Sequence, residues 1–133
     1  MSAHRILQPP GWPRPKGYAN GIAGKGLLVF TAGMVGWDEG GRFVGDGMAE
    51  QFAQALKNMV AVLAEAGAGP GHVARMTCYV TSRAEYLKAA REIGVAWQQV
   101  MGDHYPAMAL VEVAALVEAE AKVEIEATAV VPE

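Results

Sequence analysis

The sequence contains one cysteine, no long hydrophobic run and no cluster of basic residues. Cys78 cannot form an internal disulfide, and a lone thiol suits a reducing compartment. No stretch of about 18 uncharged apolar residues occurs, which excludes a membrane-spanning helix. The N-terminus also lacks the apolar region of a secretory signal. We therefore expect a cytoplasmic protein that does not bind membranes.

The few basic residues are scattered. Eleven Lys and Arg against fourteen Asp and Glu give a formal net charge of -3 at pH 7. Because nucleic-acid binding depends on clustered positive charge, DNA and RNA are not expected as partners. Apolar side chains are abundant instead, since 52% of the 133 residues are hydrophobic. This composition excludes a disordered chain and allows one domain, residues 1–133, with its own core.

Hydrophobic periodicity predicts an α+β fold with the element order β-β-α-β-α-β-β. The proline-rich residues 1–15 indicate an extended N-terminal arm. The glycines that follow favour a hairpin between residues 18–23 and 27–32. Further strands are predicted at residues 73–81, 108–117 and 121–131. A tight turn at 118–120 would join the last two strands as an antiparallel hairpin.

Two amphipathic helices lie between these strands. The first begins at the cap Asp46 and ends before Gly67, with polar residues such as Gln51 outside its apolar stripe. The second begins with the capping box of Ser82 and ends at Gly102. Both would pack on one face of a single mixed sheet. The other face would stay bare although it carries apolar side chains, including Tyr79, Met108 and Leu110. A bare apolar face indicates an interface, so we expect a homo-oligomer.

No motif for phosphate or metal binding is present. The glycine-rich residues 21–26 lack the spacing of a phosphate loop and precede a strand, whereas such loops open a helix. The three histidines are far apart and Cys78 has no cysteine partner, so neither a metal nor another cofactor is expected. His72 and His104 are both predicted in exposed loops. Cys78 lies on the apolar side of its strand, where burial would keep its thiol inert.

Carboxylates of the last two strands are the first candidates for chemistry. Glu112, Glu124 and Glu126 alternate with apolar residues and can share one face. If a neighbouring subunit covers that face, a partly desolvated carboxylate can act as a general acid or base near neutral pH. An exposed polar face with salt bridges explains the same pattern. Tyr18, beside a glycine turn, is either an interface aromatic or a hydrogen-bond donor to a ligand.

Several segments are similar to the RidA (YjgF/UK114) family, whose older name is L-PSP endoribonuclease. The resemblance is carried by residues 17–21 (GYANG), 30–34 (FTAGM), 105–113 and 122–127, and by Gln51 and Asn58. Order and spacing match over essentially the whole chain. The resemblance implies a chorismate-mutase-like subunit, a homotrimer whose sheets face inward, and ligand sites in the three clefts between subunits.

The resemblance also implies an activity. The family's best-known members hydrolyse imines and enamines such as 2-aminoacrylate, which releases ammonia and a 2-keto acid. They need an arginine that holds the substrate carboxylate and a carboxylate that moves protons through water. Tyr18 and Glu124 match the family pattern and become the candidate catalytic residues.

The chain departs from the family at the substrate-binding positions. Met108 stands in place of the arginine, and Ala32, Met34 and Leu110 stand in place of a serine, a glutamine and a cysteine. With Gly33 and His104, these residues would line an apolar pocket. Methionine cannot pair with a carboxylate, so 2-aminoacrylate should be a poor substrate.

Two functions remain open. The chain either hydrolyses an imine or enamine of a larger or less acidic metabolite, or it is a non-catalytic trimer that binds a small molecule or a protein. In the first case Glu124 is the acid/base, Tyr18 a hydrogen-bond partner and His104 a possible helper. Retention of Glu124 favours the enzyme, and loss of polar pocket residues favours the binding protein. The acidic charge disfavours ribonuclease activity.

Overall fold

The computed structural model describes residues 3–133 and contains six strands and three α-helices in that range. In chain order they are β1 (Arg5–Leu7), β2 (Gly21–Ala23), β3 (Leu27–Phe30), α1 (Met48–Ala64), β4 (Val73–Val80), α2 (Arg83–Lys88), α3 (Ala90–Met101), β5 (Ala107–Glu112) and β6 (Val123–Val131). The predicted α+β fold is confirmed. Among the elements themselves, the second predicted helix is divided at Ala89, and an additional strand, β1, lies within the predicted arm.

The main sheet has the strand order β3-β6-β4-β5. β6 is antiparallel to both of its neighbours, and β5 is parallel to β4, so the sheet is mixed. The predicted hairpin between the last two strands is therefore wrong. Helices α2 and α3 return the chain to the end of the sheet at which β4 began, so β5 runs parallel to β4. Residues 113–122 then carry the chain past β4 to the far side of that strand.

The first predicted hairpin is wrong as well. β2 pairs with β1 in a separate two-stranded sheet, and β3 pairs with β6. Gly26 has a φ of 150°, and a side chain there would overlap the backbone of Val131 at the end of β6. The glycine turn therefore lets β3 approach β6 closely, and β2 is left to pair with the N-terminal segment.

The helices α1 and α3 cover one face of the main sheet, as predicted, and form the core with it. The predicted α1 stripe is buried: it consists of Phe52, Leu56, Met59 and Leu63. The helix begins at Gly47, whose N–H donates to Glu50 Oε1, and not at Asp46. The capping residue Ser82 is confirmed, since its Oγ accepts from the N–H of Glu85 at 3.0 Å.

Cys78 lies in this core. Its predicted burial is confirmed, and burial raises the pKa of the thiol to about 12, which favours the protonated form.

The opposite face of the sheet is open in the single chain. The β3 side chains of Leu28 and Phe30 on this face are 57% and 67% exposed. Polar side chains of β6 and β4 continue the face, because Glu126 is paired with Thr77 and Glu124 with Tyr79. The face is thus apolar along β3 and polar in the middle.

Met108 and Leu110 are not on this open face. They are paired with Met76 and Cys78, which point into the core, so both side chains lie on the helix side. The prediction that they line the open face is wrong, because it assumed that β5 belonged to a hairpin with β6. The parallel register with β4 reverses their direction.

Gln51 on α1 connects three segments, although the sequence pattern placed it among the solvent-facing polar residues. Its side chain is fully buried. Nε2 donates to the carbonyl oxygens of Gly45 at 2.9 Å and Glu120 at 3.1 Å, and Oε1 accepts from the N–H of Lys122 at 2.8 Å. Gly36 packs so closely that a Cβ there would lie 2.7 Å from the Gln51 Cα. Gln51 therefore fixes both the loop before α1 and the start of β6.

Asn58 repeats this function on the same side of α1. Its Nδ2 donates to the carbonyl oxygens of Val35 at 3.0 Å and Trp37 at 2.8 Å. Residues seven positions apart are stacked two turns along a helix, so Gln51 and Asn58 hold the β3–α1 loop at two points.

We predict that Gln51→Met lowers the free energy of unfolding by about 2–4 kcal/mol, because buried backbone groups lose their partners while side-chain length is kept. Urea denaturation measures this loss. The matched control is Gln54→Met, since the Gln54 amide donates only locally, to Asn58 Oδ1. That variant should change stability by less than about 1 kcal/mol. Equal losses in both variants would contradict the connecting role of Gln51.

His104 is buried, contrary to the prediction of an exposed loop, and is only 2% exposed. Its Nε2 lies 2.6 Å from the carbonyl oxygen of Val73, and its own carbonyl oxygen accepts from Trp97 Nε1 at 3.1 Å. His104 thus connects the end of α3 to the start of β4. Burial lowers the pKa of the imidazole, which favours the neutral ring.

This lowered pKa predicts a pH-dependent stability. As the pH falls below about 6.5, the unfolded chain takes up the His104 proton before the folded chain does, so the free energy of unfolding falls. His104→Gln retains a donor for Val73 but cannot titrate, and its stability should fall less steeply between about pH 6.5 and pH 5. Urea denaturation across this range compares the slopes. Identical slopes would exclude His104 as the titrating group.

Candidate functional site

Glu124 lies on the open face of β6 directly above Gly33. The pairing of β3 with β6 continues beyond β3, since Met34 and Ile125 exchange two backbone hydrogen bonds of 2.7 and 2.8 Å. Gly33 is therefore held beside Glu124, and Ala32 precedes it in the chain. A Cβ at Gly33 would overlap the Glu124 carboxylate, so glycine is what leaves room for it. We call Ala32, Gly33 and Glu124 the carboxylate group.

Tyr18 lies at the opposite edge of the sheet, beside the start of β5. The N–H of Ala19 donates to the carbonyl oxygen of Pro106 at 3.0 Å, and Ala19 forms a bridge with Ala107. The Tyr18 ring is 42% exposed and lines a cavity of about 550 Å³ together with Arg14 and Tyr105. We call this space the Tyr18 cavity.

The segment that carries Tyr18 is folded back by Gln8. Gln8 Nε2 donates to the carbonyl oxygens of Trp12 and Pro13 at 3.1 and 3.3 Å, and Oε1 accepts from Asn20 Nδ2 at 2.7 Å. The predicted extended arm is thus a closed loop between β1 and β2. This loop forms one wall of the Tyr18 cavity.

The two candidate catalytic residues are far apart within one chain. Glu124 is level with Val111 of β5 across the sheet, whereas Tyr18 precedes the residue that bridges to Ala107. This offset corresponds to about 13 Å along β5 and about 14 Å across three strand spacings, because the Tyr18 segment lies beyond the outer edge of β5. One chain alone does not bring Tyr18 and Glu124 to the same ligand.

Three other candidates also lie away from Glu124. Met34 is level with Ile125 and packs against the core at the β3 edge, whereas Met108 and Leu110 pack against it on β5, at the other edge. Of the four positions at which the chain departs from the family, only Ala32 belongs to the carboxylate group, as the chain neighbour of Gly33. Within one chain these residues do not line a common pocket.

His104 is likewise remote from Glu124. Its partner Val73 is level with Ala129, five residues, or about 16 Å, along β6 from Glu124. With its Nε2 committed to a backbone carbonyl, His104 is a structural residue and cannot assist Glu124 of its own chain.

The three carboxylates of the last strands do not share a face. Glu112 is level with Val80 on the helix side, and its Oε1 accepts from the N–H of Arg83 at 2.6 Å, at the start of α2. Only Glu124 and Glu126 lie on the open face. Their strand neighbour Lys122 forms an ion pair with Glu85, with Nζ 3.0 Å from Oε2.

Met108 forms part of a small aromatic pocket that the sequence pattern did not predict. This pocket, of about 210 Å³, lies between α1, α3 and β5. It is lined by Gly17, Phe52, Tyr86, Ala90, Ile93, Gly94, Trp97, Tyr105 and Met108. Periodicity indicated that most of these residues belong to the core. The small residues Ala90 and Gly94, one turn apart on α3, were the sequence signal of a gap.

Within residues 3–133 no group of three or more His, Cys, Asp and Glu side chains is arranged to hold a metal ion. Over the same residues, none of the helices is long and apolar enough to cross a membrane.

Comparison with known proteins places these features in a family. The family model described as Endoribonuclease L-PSP matches residues 13–131. A RutC family protein from Pyrococcus abyssi is 30% identical over 105 residues, which are 78% of this chain and 80% of that protein. The human 2-iminobutanoate/2-iminopropanoate deaminase is 33% identical over 89 residues, 66% of this chain and 62% of that enzyme.

Comparison with solved structures agrees with this family assignment. A crystal structure of a Rid family protein of unknown function from Yersinia pestis superposes with a TM-score of 0.82 at 31% identity, covering 96% of this chain and 98% of that one. The motif pattern, the mixed sheet with its helices on one face and the match over residues 13–131 agree with one another. The chain therefore belongs to the Endoribonuclease L-PSP family, which is the RidA (YjgF/UK114) family that its motifs resemble.

Proposed function

We propose that the protein is a deaminase-type hydrolase of a small imine or enamine, and that it works in clefts between the subunits of a homotrimer. The observation that carries this proposal is the Glu124 carboxylate above Gly33 on an open sheet face. A carboxylate in this position can hold a water molecule and exchange protons with it. The human relative is a 2-iminobutanoate/2-iminopropanoate deaminase, and its activity supports the same class of reaction for this chain.

The division of the site between two edges of the sheet supports the proposed homotrimer. The carboxylate group and the Tyr18 cavity are on opposite edges of one sheet, and the open face exposes Leu28 and Phe30. If these faces pack together around a threefold axis, the apolar β3 side chains are buried. Each cleft then combines Glu124 of one subunit with the Tyr18 cavity at the β5 edge of the next, and Met108 lines the pocket adjacent to that cavity on the helix side. Covering this face also desolvates Glu124, which favours proton transfer.

The proposed reaction adds water across the C=N bond of the substrate. Glu124 accepts a proton from water while the oxygen bonds to the imine carbon, and it passes this proton to the nitrogen as the C=N double bond becomes a single bond. Tyr18 donates a hydrogen bond that orients the substrate. Glu124 then transfers the hydroxyl proton of the resulting carbinolamine to its amino group, the C–N bond breaks as the C=O bond forms, and ammonia leaves with a carbonyl product. An enamine enters the same sequence after protonation at carbon.

Met108 sets this chain apart from the deaminase of 2-imino acids. Its thioether contacts the core on one side, where Cys78 Sγ lies 3.8 Å from its Sδ, and lines the apolar aromatic pocket on the other. A carboxylate placed against these groups would be desolvated without a partner, at a cost of several kcal/mol. The proposed substrate is therefore an imine with no carboxylate at the reacting carbon.

A non-catalytic binding protein is the second candidate function. The apolar aromatic pocket favours it, because such a pocket can retain a ligand without any reaction. Ligand binding together with a complete absence of imine turnover would support this alternative.

We predict that Glu124→Gln lowers kcat for an uncharged ketimine at least about 100-fold, since the general acid/base is lost. A preformed N–H ketimine, added from dry solvent and free of ammonia, serves as substrate, and ammonia release above the uncatalysed rate is followed by a coupled assay. Glu126→Gln is the matched control, because Glu126 lies on the same face of β6 two residues away. It should retain activity within about threefold. Comparable losses in both variants would refute the role of Glu124.

We predict that Met108→Arg raises kcat/KM for 2-iminopropanoate at least about tenfold, because a guanidinium can bind the carboxylate bidentately. Met108→Leu keeps the site apolar and should give no increase. Thermal unfolding checks that both variants are folded. If the wild-type protein hydrolyses 2-iminopropanoate as fast as an uncharged ketimine, the proposed substrate class is incorrect.

A further inference from the structure

We infer that the aromatic pocket beside Met108 selects the substrate by accepting a flat, uncharged ring of about the size of a phenyl group. This inference rests on the proposed function and names its substrate class: an imine or enamine with an aryl substituent. The walls, the open side, the size and the position of the pocket each contribute to it.

Two aromatic pairs form walls of the pocket. Trp97 and Tyr105 are stacked in nearly parallel planes, at 6° and 5.8 Å between ring centroids. Phe52 and Tyr86 are tilted by 46° at 6.1 Å. Trp97 and Phe52 are buried and fixed, whereas Tyr105 is 38% exposed. A third ring can therefore pack against these surfaces in the offset or edge-to-face geometries that aromatic pairs prefer.

The α3 side of the pocket is open at Ala90 and Gly94, the two lining residues of this helix that have little or no side chain. A Cβ at Gly94 would meet no atom within 4 Å, and Ala90, one turn earlier, contributes only a methyl group. Ile93 and the flexible thioether of Met108 line the pocket as well. Thioether sulfur makes favourable contacts with ring edges, so Met108 suits an aromatic occupant.

The volume and chemistry fit one ring. Apolar cavities of about 150 Å³ are large enough to bind benzene, and this pocket measures about 210 Å³. None of its lining residues carries a charge at neutral pH, and its polar side-chain groups are the tyrosine hydroxyls and the Trp97 indole N–H. Because that N–H already donates to His104, the pocket offers little to a polar or charged substituent.

The pocket opens toward the proposed reaction site. Gly17 and Tyr105 line both this pocket and the Tyr18 cavity, so the two spaces are adjacent. A ring held among the aromatic residues would leave the carbon attached to it beside Tyr18. The substrate is thus anchored by its ring, where family members use an arginine to hold a carboxylate.

The test compares two product-like ketones, acetophenone with a ring and 2-butanone without one, by isothermal titration or ligand-observed NMR. The wild-type protein should bind acetophenone at least about tenfold more tightly than 2-butanone. Gly94→Leu fills the pocket from its open side and should remove at least about tenfold of the acetophenone affinity. Val95→Leu is the control, because Val95 is 55% exposed and does not line the pocket.

Gly94→Leu should fold, since leucine replaces glycine within a helix, and circular dichroism checks this. Ala90→Leu blocks the same side and serves as a second variant. Equal affinity for the two ketones, or unchanged acetophenone binding in both blocked variants, would overturn the inference.

Glu124→Gln separates this inference from the proposed function. The variant should bind acetophenone as tightly as wild type, because Glu124 does not line the pocket. If the wild-type protein binds acetophenone but turns over no imine, the proposed hydrolase activity is refuted and the ring-binding role of the pocket is retained. If it turns over imines with no preference for aryl imines, the ring-binding role is refuted and the hydrolase activity is retained.

Discussion

The three hydrogen bonds of the buried Gln51 amide are the interaction on which the rest of the structure depends. Neither the β3–α1 loop nor residues 113–122 forms regular secondary structure, and both must pack against α1. A buried backbone group without a partner costs about 1–3 kcal/mol, so the two loops can close here only because one side chain satisfies both. Lys122, one of its partners, immediately precedes β6. Gln51 therefore determines where β6, one of the two inner strands of the sheet, begins.

The candidate site depends on this constraint through a short chain of contacts. Glu124 follows Lys122 by two residues, and its carboxylate lies above Gly33 in the segment that leads into the loop held by Gln51 and Asn58. The two sides of the carboxylate group are thus anchored to the same helix. The Tyr18 cavity is anchored independently, by Gln8 and by the bridge of Ala19 to β5. This separation within one chain is what an intersubunit site would require.

Periodicity in the sequence predicted the helices and strands well, but it predicted poorly which strands pair with each other. The α1 stripe and the alternation of β6 identified the core face correctly, because each side chain's direction follows from its own element. The pairing of β1 with β2 and the parallel register of β5 could not be read in this way, since alternation carries no information about which strand is adjacent. The hairpin expectation therefore reversed the direction of Met108 and Leu110.

Buried polar residues were the second feature that the sequence did not predict. Gln51 and His104 look like surface residues in the sequence, and only their fixed backbone partners make their burial tolerable. Glu124, Gly33 and Tyr18 were identified through the family motifs. The aromatic pocket was not, because it is a gap left by Ala90 and Gly94 among residues whose spacing indicates ordinary core packing.

The central claim is that a complete site combines Glu124 of one chain with Tyr18 of its neighbour. Mixed oligomers of Tyr18→Phe and Glu124→Gln, refolded together, test it most directly, because some clefts then receive both intact residues. If each variant alone has lost most ketimine turnover, random assembly should restore about one quarter of the wild-type activity. Mixed oligomers as inactive as their parents would contradict the claim.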